Sequence, residues 1–384
     1  MQANPANHRP LRLDQLRRVV VLRALFLGDM LCAVPAFRAL RRAAPQAQIV
    51  LAGLPWAHEF AKRFAAYIDE FVEFPGFPGL PEQPPIDRRI RAFVSQMRRV
   101  KVDLAIQMHG NGSISNRACL LMEPQRVAGF YIAGQECPDP ETYLVFNDRE
   151  HEVRRHLRLM ELLGASPCGE ELEFPVTDED EARLAKTTEL DHLFQSDYVC
   201  IHAGAKMATR RWPADRFAAV ADALAERGHF VVLTGSEPER PLVQQVCDQL
   251  RRGHLNLCGR TDLGMLAALL QRARLVVTND TGVSHLAAAL RTPSVILFLG
   301  SDRARWSPSD RRQHRVVATE VPCQPCEHET CPIGFVCANP IAPERVLRSA
   351  LDLLGDSDIS RTRVPLHAAP ANELTQLVAE PICQ

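Results

Sequence analysis

The chain has 384 residues, of which 46% are hydrophobic and 24% charged, and its formal net charge at pH 7 is −1. This length exceeds one ordinary hydrophobic core and predicts two domains, and the balanced charge gives no reason to expect nucleic acid binding. No stretch approaches the ~20 apolar residues that span a bilayer, and residues 1–14 lack the apolar core of a signal peptide. We therefore expect a cytoplasmic protein with mostly reduced cysteines.

Strand-like apolar runs alternate with helical patterns in the first half, which favours α/β architecture with parallel sheets. The predicted strands are residues 19–22, 48–53 and 102–107. Pro35 lies inside the first helical segment and predicts a kink or a late helix start. Residues 74–85 and 134–150 are rich in turn-forming residues and are predicted to be irregular.

Residues 88–101 form a basic, amphipathic stretch between the second and third predicted strands. Such a stretch is typical of a solvated helix face, and it is also compatible with contact to an anionic surface. The sequence alone leaves both interpretations open.

The second half repeats the α/β alternation, with predicted strands at residues 198–202, 230–234, 255–258, 275–278 and 294–298. A helix is predicted after Trp212, with Pro213 at a tolerated early position. The charged segment 177–191 is predicted to contain the hinge. The predicted domains are residues 15–182 and 190–352, followed by a weakly ordered tail over 357–384.

The turn from Asn279 to His285 joins a predicted buried strand to an apolar helix. A sharp turn into a helix leaves free N–H groups at the helix N-terminus, where the dipole also favours an anion such as phosphate. The alternative is an ordinary βαβ unit whose Asp280 and Thr281 only cap the helix. Ligands of open α/β sheets bind at the carboxyl edge and often between domains, so we predict a cleft between the two halves.

The segments that carry the predicted turns are residues 20–31 with their Gly-Asp pair, residues 103–112, residues 201–205 with 210–213, and residues 279–285. Together and in this order, they resemble glycosyltransferase family nine, the heptosyltransferases. The resemblance extends from about residue 19 to residue 350. It implies an α/β GT-B fold, in which two Rossmann-like domains with parallel sheets face an interdomain cleft. It also implies an N-terminal acceptor-binding domain, a C-terminal nucleotide-sugar-binding domain, and inverting transfer that needs neither a metal nor a cofactor.

In the N-terminal half, Asp29 matches the family's catalytic aspartate. A carboxylate on a loop at a strand edge can take the proton of an acceptor hydroxyl, although Asp29 can also simply cap the following helix. Gly28 permits close approach of the backbone to the acceptor. His109 and Asn111 are predicted to bind acceptor hydroxyls or phosphates.

In the C-terminal half, the resemblance implies two loops that hold the donor. Preorganised amides and cations can stabilise a diphosphate leaving group without a metal, and Arg210 stands where family members often have lysine. Lys206 is an alternative candidate for stabilising the diphosphate. The resemblance also places Asp280 at the donor sugar, Glu237 at the ribose and Thr261 at the adenine. The remaining predicted donor-binding residues are Gly204, Ala205, Thr281, Gly282, Ser284 and His285.

Four cysteines lie close together in the sequence at Cys323, Cys326, Cys331 and Cys337. Their spacing is compatible with a structural zinc site, and the alternative is a set of thiols that are reduced or partly disulfide-linked. We predict no catalytic role for them.

The sequence therefore predicts a glycosyltransferase whose donor is a nucleotide sugar, best matched by ADP-heptose. Its expected acceptor is a lipid-linked saccharide, best matched by lipopolysaccharide core, at the cytoplasmic face of the inner membrane, with peripheral membrane contact. The alternatives are a family member with another nucleotide sugar and glycan, a sugar-nucleotide epimerase, and a non-catalytic nucleotide-sugar-binding protein. An epimerase needs further acid and base groups that we cannot assign, and Asp29 argues against a non-catalytic role.

Overall fold

The structure is a computed structural model, and it describes residues 11–186, 197–326 and 328–355. The predicted tail over 357–384 and the predicted start of the second domain at residue 190 lie outside the described residues. Twelve strands and twelve α-helices occur in the described part of the chain.

The first sheet contains six parallel strands in the order β3-β2-β1-β4-β5-β6. In the central pairs, Val19 of β1 lies opposite Ile49 of β2 on one side and Leu104 of β4 on the other. The strands are β1 (Arg18–Leu22), β2 (Gln48–Gly53), β3 (Glu70–Glu73), β4 (Leu104–Gln107), β5 (Arg126–Tyr131) and β6 (Tyr143–Val145).

The second sheet is also parallel and has the order β12-β11-β10-β7-β8-β9. Both sheets therefore have the doubly wound order of a dinucleotide-binding fold. The strands are β7 (Tyr198–His202), β8 (Phe230–Thr234), β9 (His254–Asn256), β10 (Leu275–Asn279), β11 (Ser294–Phe298) and β12 (His314–Ala318).

Helices cover the sheets and form most of the contact between the domains. They are α1 (Leu27–Ala43), α2 (Ala57–Arg63), α3 (Asp87–Val100), α4 (Ser115–Leu120), α5 (Glu152–Leu162), α6 (Asp178–Ala185), α7 (Ala214–Ala225), α8 (Arg240–Cys247), α9 (Leu263–Arg272), α10 (Gly282–Ala289), α11 (Arg303–Trp306) and α12 (Pro343–Leu354). Helix α1 packs against both α5 and α10. As a result, one apolar core runs from the first sheet through α1 and α10 to the second sheet.

The predicted α/β class and parallel sheets are confirmed, as are the eight predicted strands to within two residues at each end. Helix α1 begins at Leu27 and runs through the buried Pro35, so the predicted late helix start is wrong. Strands β3, β5, β6 and β12 were not predicted, and β6 lies inside the segment expected to be irregular.

The predicted hinge region begins with α6, which is capped by Thr177 and connects the two domains. Asp180 pairs with Arg63 of α2, at 3.0 Å between Oδ1 and Nη2. On the other side, Arg183 pairs with Asp262 at the start of α9. Within the described ranges, no helix combines the length and the apolar character that crossing a membrane requires.

Candidate active site

The predicted functional segments lie at the switch points of the two sheets. Each sheet reverses its strand order at its centre, between β1 and β4 in the first and between β7 and β10 in the second. The carboxyl ends of such strands are where ligands of open α/β sheets bind. The segments that follow these four strands are 23–29, 108–114, 203–212 and 280–285.

Two of these segments, one from each domain, are in direct contact. A β-carbon built on Gly28 would lie 2.7 Å from Cδ2 of His285, and one on Gly282 would lie 3.3 Å from Cβ of Leu27. These two glycines therefore let the first turns of α1 and α10 meet. The His285 ring also lies 3.6 Å from the thiol of Cys32, measured from Nδ1.

Asp29 lies in the first turn of α1, not on a loop as the sequence suggested. The buried guanidinium of Arg23 holds this turn in place, because its Nε and Nη2 donate to the Asp29 carbonyl at 3.0 and 2.6 Å. Burial raises the pKa of the Asp29 carboxyl, and the positive charge of Arg23 opposes that rise. A raised pKa makes the carboxylate a better proton acceptor.

Behind Asp29 lies a buried charge cluster centred on Glu152, which the sequence analysis did not identify. Arg23 approaches Glu152 Oε1 at 3.2 Å, and Arg155 donates to Oε2 at 2.5 Å. Arg305 of α11 donates to the same Oε2 at 2.9 Å from the other domain. Burial would raise the pKa of Glu152, but the hydrogen bond from His156 and the surrounding arginines hold it well below its ordinary value.

On the acceptor side, His109 is buried and makes two contacts. Its Nδ1 accepts from the amide of Ala24 at 3.2 Å, and its Nε2 lies 3.3 Å from Oε2 of Glu82. Burial would raise the pKa of Glu82, but the bond with His109 outweighs it, so the pKa lies below its usual range. Asn111 is half-buried and caps its own turn by accepting from Ser113 N at 3.1 Å. Glu82 was not predicted, because it lies in a segment interpreted only as a loop.

The two donor loops are joined by the side chain of Asn279, which is fully buried. Its Nδ2 donates to the carbonyl of Ala203 at 2.8 Å, and its Oδ1 accepts from the amide of Trp212 at 3.0 Å. Arg211 closes the same loop by donating from Nε to the carbonyl of Ala205 at 2.7 Å. The loop containing Gly204 is thus fixed to the strand end that leads into α10.

The first turn of α10 has the geometry of an anion site. Thr281 is the N-cap, and Ser284 is used inside the turn, where its hydroxyl donates to the Thr281 carbonyl at 2.7 Å. The amides of Gly282 and Val283 follow in the first turn, where a helix offers them no backbone acceptor. A turn that is capped locally can still present these amides to an anion, so the geometry is compatible with both interpretations.

Asp280 is 4% exposed and lies above this turn. Its Oδ1 is 4.0 Å from Nε2 of His285 and, among the described residues, accepts no hydrogen bond. Burial raises the pKa of Asp280 to about 6, against the opposing effects of Ser301 and Arg210. Nε of Arg210 is also buried and unpaired within the described chain. Two unsatisfied buried groups of opposite charge, close enough for Arg210 to lower the pKa of Asp280, suit a polar ligand.

Glu239, not the predicted Glu237, faces the donor loop. A β-carbon built on Gly204 would meet Oε1 of Glu239 at 2.1 Å, and Ser236 holds the other oxygen from its amide and hydroxyl, each at 2.8 Å. Glu237 is exposed and pairs with Arg240 at 2.7 Å. Both glutamates follow the same strand, so the sequence could not show which one the short helical turn directs inward.

Lys206 and Thr261 lie at opposite ends of the donor side. The ammonium of Lys206 lies 4.4 Å from the ring centre of Phe26, the residue just before α1, so it reaches the acceptor domain. Thr261 is half-buried in the turn between β9 and α9. The structure therefore brings Lys206 to the meeting point of the two domains and leaves Thr261 at the sheet periphery.

The cysteine-rich segment, residues 323–337, is hydrogen-bonded to loops on the donor side of the site. The amide of Cys326 donates to the carbonyl of Gly300 at 2.6 Å, and the hydroxyl of Thr209 donates to the carbonyl of His328 at 2.7 Å. Cys323, Cys326, Cys331 and Cys337 are free thiols. In the part of the chain that the structure describes, no group of three or more His, Cys, Asp or Glu side chains is arranged to hold a metal ion.

Comparison with known proteins identifies the relatives of this arrangement. Residues 90–336 match the sequence profile of glycosyltransferase family 9 (heptosyltransferase). Lipooligosaccharide heptosyltransferase 2 of Campylobacter jejuni is 23% identical over 339 residues, which are 87% of this chain and 97% of that protein.

Two solved structures share the fold. A glycosyl transferase family 9 protein from Veillonella parvula aligns with a TM-score of 0.73 at 23% identity, covering 89% of this chain and 98% of its own. The ADP-heptose lps heptosyltransferase II of E. coli aligns with a TM-score of 0.68 at 21% identity, covering 88% and 98%. These likenesses confirm the GT-B arrangement of two Rossmann-like domains.

Proposed function

Because this chain belongs to glycosyltransferase family 9, the heptosyltransferases, we propose that it transfers heptose from ADP-heptose to a lipopolysaccharide core acceptor. We further propose that the transfer inverts the anomeric centre and needs no metal ion. The chain is a glycosyltransferase by family, and the heptosyltransferase relatives support the donor and acceptor classes.

The contact between the first turns of α1 and α10 is the observation that carries this proposal. Gly28 packs against His285, so Asp29, which follows Gly28 in the sequence, lies next to the first turn of α10 where the two domains meet. A proton acceptor and a leaving-group site that face each other are what single displacement requires.

The reaction would then proceed in one step. The Asp29 carboxylate takes the proton of an acceptor hydroxyl, whose oxygen forms a bond to the anomeric carbon of the donor. The bond between that carbon and the diphosphate oxygen breaks, and its electron pair leaves with the diphosphate. Attack from the side opposite the leaving group inverts the anomeric centre.

The departing diphosphate carries negative charge that the C-terminal domain can stabilise. The amides of Gly282 and Val283 and the positive end of α10 supply preorganised donors. Arg210 has a buried Nε near Asp280 that is unpaired among the residues the structure describes, and Lys206 extends from the facing loop to Phe26 of the acceptor domain. These groups support a mechanism in which fixed cations and amides do the work of a metal.

The remaining predicted roles are proposals on the same site. His109, Asn111 and the newly identified Glu82 would bind the acceptor in the domain over residues 15–182, and Glu239 would accept from the donor ribose in the domain over 190–352. The acceptor would be lipid-linked, which places the enzyme at the cytoplasmic face of the inner membrane by peripheral contact.

Replacing Asp29 by asparagine tests the base. The transfer rate should fall 10²- to 10⁴-fold, the usual contribution of a general base, while calorimetry should find ADP-heptose binding within a few-fold of the unchanged protein. Asp215→Asn is the matched control, because Asp215 is an exposed aspartate in the first turn of α7. Retained turnover in Asp29→Asn would exclude this assignment.

The donor and the stereochemistry need separate measurements. ADP-heptose should raise the thermal midpoint of the protein more than UDP- or GDP-sugars, since a ligand stabilises according to its concentration over its dissociation constant. The anomeric configuration of the product, determined by NMR, should be opposite to that of the donor. Stabilisation by UDP-sugars alone would overturn the heptose assignment and leave the glycosyltransferase family unaffected.

A further inference from the structure

Helix α3 presents a row of arginines away from the protein. Phe93 and Met97 are buried, which fixes the face that α3 turns toward the first sheet. With 3.6 residues per turn, the opposite row is spaced at i, i+3, i+7 and i+11. The residues of that outward row are Arg88, Arg91, Ser95 and Arg99.

This row is not neutralised by acidic neighbours. Arg88 and Arg91 are exposed, and among the described residues neither side chain has an ion-pair or hydrogen-bond partner. Arg99 donates from Nε only to the carbonyl of Ser95 in its own helix, at 3.2 Å. The row therefore carries three positive charges in a protein whose formal net charge is −1.

Large apolar side chains are exposed beside the row. Leu120 is 58% and Leu121 37% exposed at the end of α4, and Ile86 is 44% exposed just before α3. Nε of Arg98 donates to the carbonyl of Leu121 at 3.2 Å, so the leucines adjoin the C-terminal half of α3. Three of the eight exposed large apolar residues in the described chain thus flank one basic row.

We propose that this surface docks on an anionic lipid bilayer. It is called here the α3/α4 face, and it consists of Ile86, Arg88, Arg91, Arg99, Leu120 and Leu121. The arginines would contact headgroup phosphates, and the apolar side chains would enter the boundary between headgroups and acyl chains. A nucleic acid would satisfy the arginines but leave the leucines in water, so the combination favours lipid.

The α3/α4 face adjoins the acceptor side of the cleft. The segment before α3 carries Glu82, which contacts His109, and a β-carbon on Gly79 of that segment would lie 2.7 Å from Ile114, just before α4. A lipid-linked acceptor lying in the bilayer surface would therefore meet the cleft beside the docking face. This last step rests on the proposed function, whereas binding of the face to lipid does not.

Flotation with vesicles tests the arginines. The full chain should float with phosphatidylcholine vesicles that contain phosphatidylglycerol, and not with phosphatidylcholine alone, and added salt should weaken the binding. Arg88→Gln combined with Arg91→Gln should weaken it roughly 30-fold, since each arginine near an anionic surface contributes a factor of about five. The matched control is Arg345→Gln with Arg348→Gln, an exposed pair at the same spacing on α12, which should bind normally.

The leucines give the second arm of the test. Leu120→Ser with Leu121→Ser should weaken vesicle binding, because the apolar contribution to binding is lost. The binding that remains should be mostly electrostatic and therefore sensitive to salt. Equal flotation of all variants, no preference for phosphatidylglycerol, or binding to a DNA duplex that is as tight as binding to vesicles would overturn the proposal.

Calorimetry with ADP-heptose separates this proposal from the proposed function. The surface variants should bind the nucleotide sugar like the unchanged protein, because the α3/α4 face lies outside the donor loops. Vesicle binding that fails while ADP-heptose still binds would overturn the docking face alone. Vesicle binding that persists without ADP-heptose binding would support the face and count against the donor assignment.

Discussion

Asp29 and Asp280 are two carboxylates of one site in different surroundings. Asp29 is partly exposed at the start of α1, with its backbone fixed by Arg23, whereas Asp280 is almost fully buried and keeps an unsatisfied oxygen. The accessible carboxylate suits proton transfer, and the buried one suits hydrogen bonding to sugar hydroxyls. Under the proposed function, different environments would thus give the same residue type two roles.

Asp280 should therefore lower the stability of the ligand-free protein at neutral pH. Its pKa is raised to about 6, above the ~3.9 of an unfolded chain, so its favourable contribution is present below pH 4 and is lost as the pH rises through 6. Above pH 7, Asp280→Asn should consequently raise the free energy of unfolding by about 3 kcal/mol relative to the unchanged protein, and therefore its unfolding temperature, while losing donor affinity. Thermal melts between pH 4 and 8 check this, and a margin that does not grow with pH would contradict it.

The neighbouring glutamates offer a matched pair of substitutions. Glu239→Gln should weaken ADP-heptose binding about tenfold or more, because hydrogen bonds to a charged group contribute roughly 1.5–3 kcal/mol and Glu239 faces Gly204. Glu237→Gln should leave binding nearly unchanged, since Glu237 is exposed and occupied by Arg240. Calorimetry on both variants decides between them, and the reverse order would restore the role predicted from sequence for Glu237.

At the scale of elements, the close approach of α1 and α10 depends on Gly28. Gly28→Ala would place a methyl group 2.7 Å from the His285 ring, and overpacking of this kind costs typically 1–3 kcal/mol. The thermal midpoint and the transfer rate should both fall. Helix propensity alone would act in the opposite direction, because alanine favours a helix over glycine.

Gly253→Ala is the control for that substitution, because a β-carbon at Gly253 meets nothing within 4 Å. It should leave the midpoint and the rate unchanged. A Gly28→Ala protein that is as stable and active as the Gly253→Ala protein would show that the two helices can separate without loss.

The central strands could be predicted because both of their faces are buried. The four strands next to the switch points have buried runs such as Val19–Leu22 in β1, and such runs are nearly continuous in apolar residues. Three of the four edge strands, β3, β6 and β12, escaped prediction. Polar residues interrupt the apolar pattern, since β3 carries Glu70 and Glu73 and β12 begins with His314 and Arg315. Their register comes from pairing with a neighbour, which a local pattern does not show.

The sequence motifs indicated which segments form the candidate site, but they did not indicate which side chains contact one another within it. The order of the Gly-Asp pair and the two donor loops indicated which residues share the cleft. The packing of Gly28 on His285 and the bond from Arg305 to Glu152 join residues far apart in the sequence and in different domains. The choice of Glu239 over Glu237 depends on one short turn. None of these leaves a local signal.

At the scale of the whole molecule, Glu152 links the C-terminal domain to Asp29, the proposed base. The Glu152 carboxylate forms ion pairs with Arg23, which fixes the Asp29 turn, and with Arg305, which comes from the C-terminal domain. Because an unpaired buried charge is costly, the cluster is complete only while α11 stays against α5. The geometry around Asp29 is therefore coupled to the contact between the domains.

Arg305→Ala should expose this coupling in the pH dependence of the reaction. The positive charge of Arg305 lowers the pKa of Asp29, so removing it should raise that pKa. The base is active only when ionised, and the acid limb of kcat/KM should therefore move to higher pH, with a reduced kcat and nearly unchanged ADP-heptose binding. Arg303→Ala is the control on the same helix, because Arg303 pairs at 3.1 Å with the exposed Glu320 of its own domain. If the acid limb of Arg305→Ala coincides with that of Arg303→Ala, Arg305 only holds the domains together and does not act on the base.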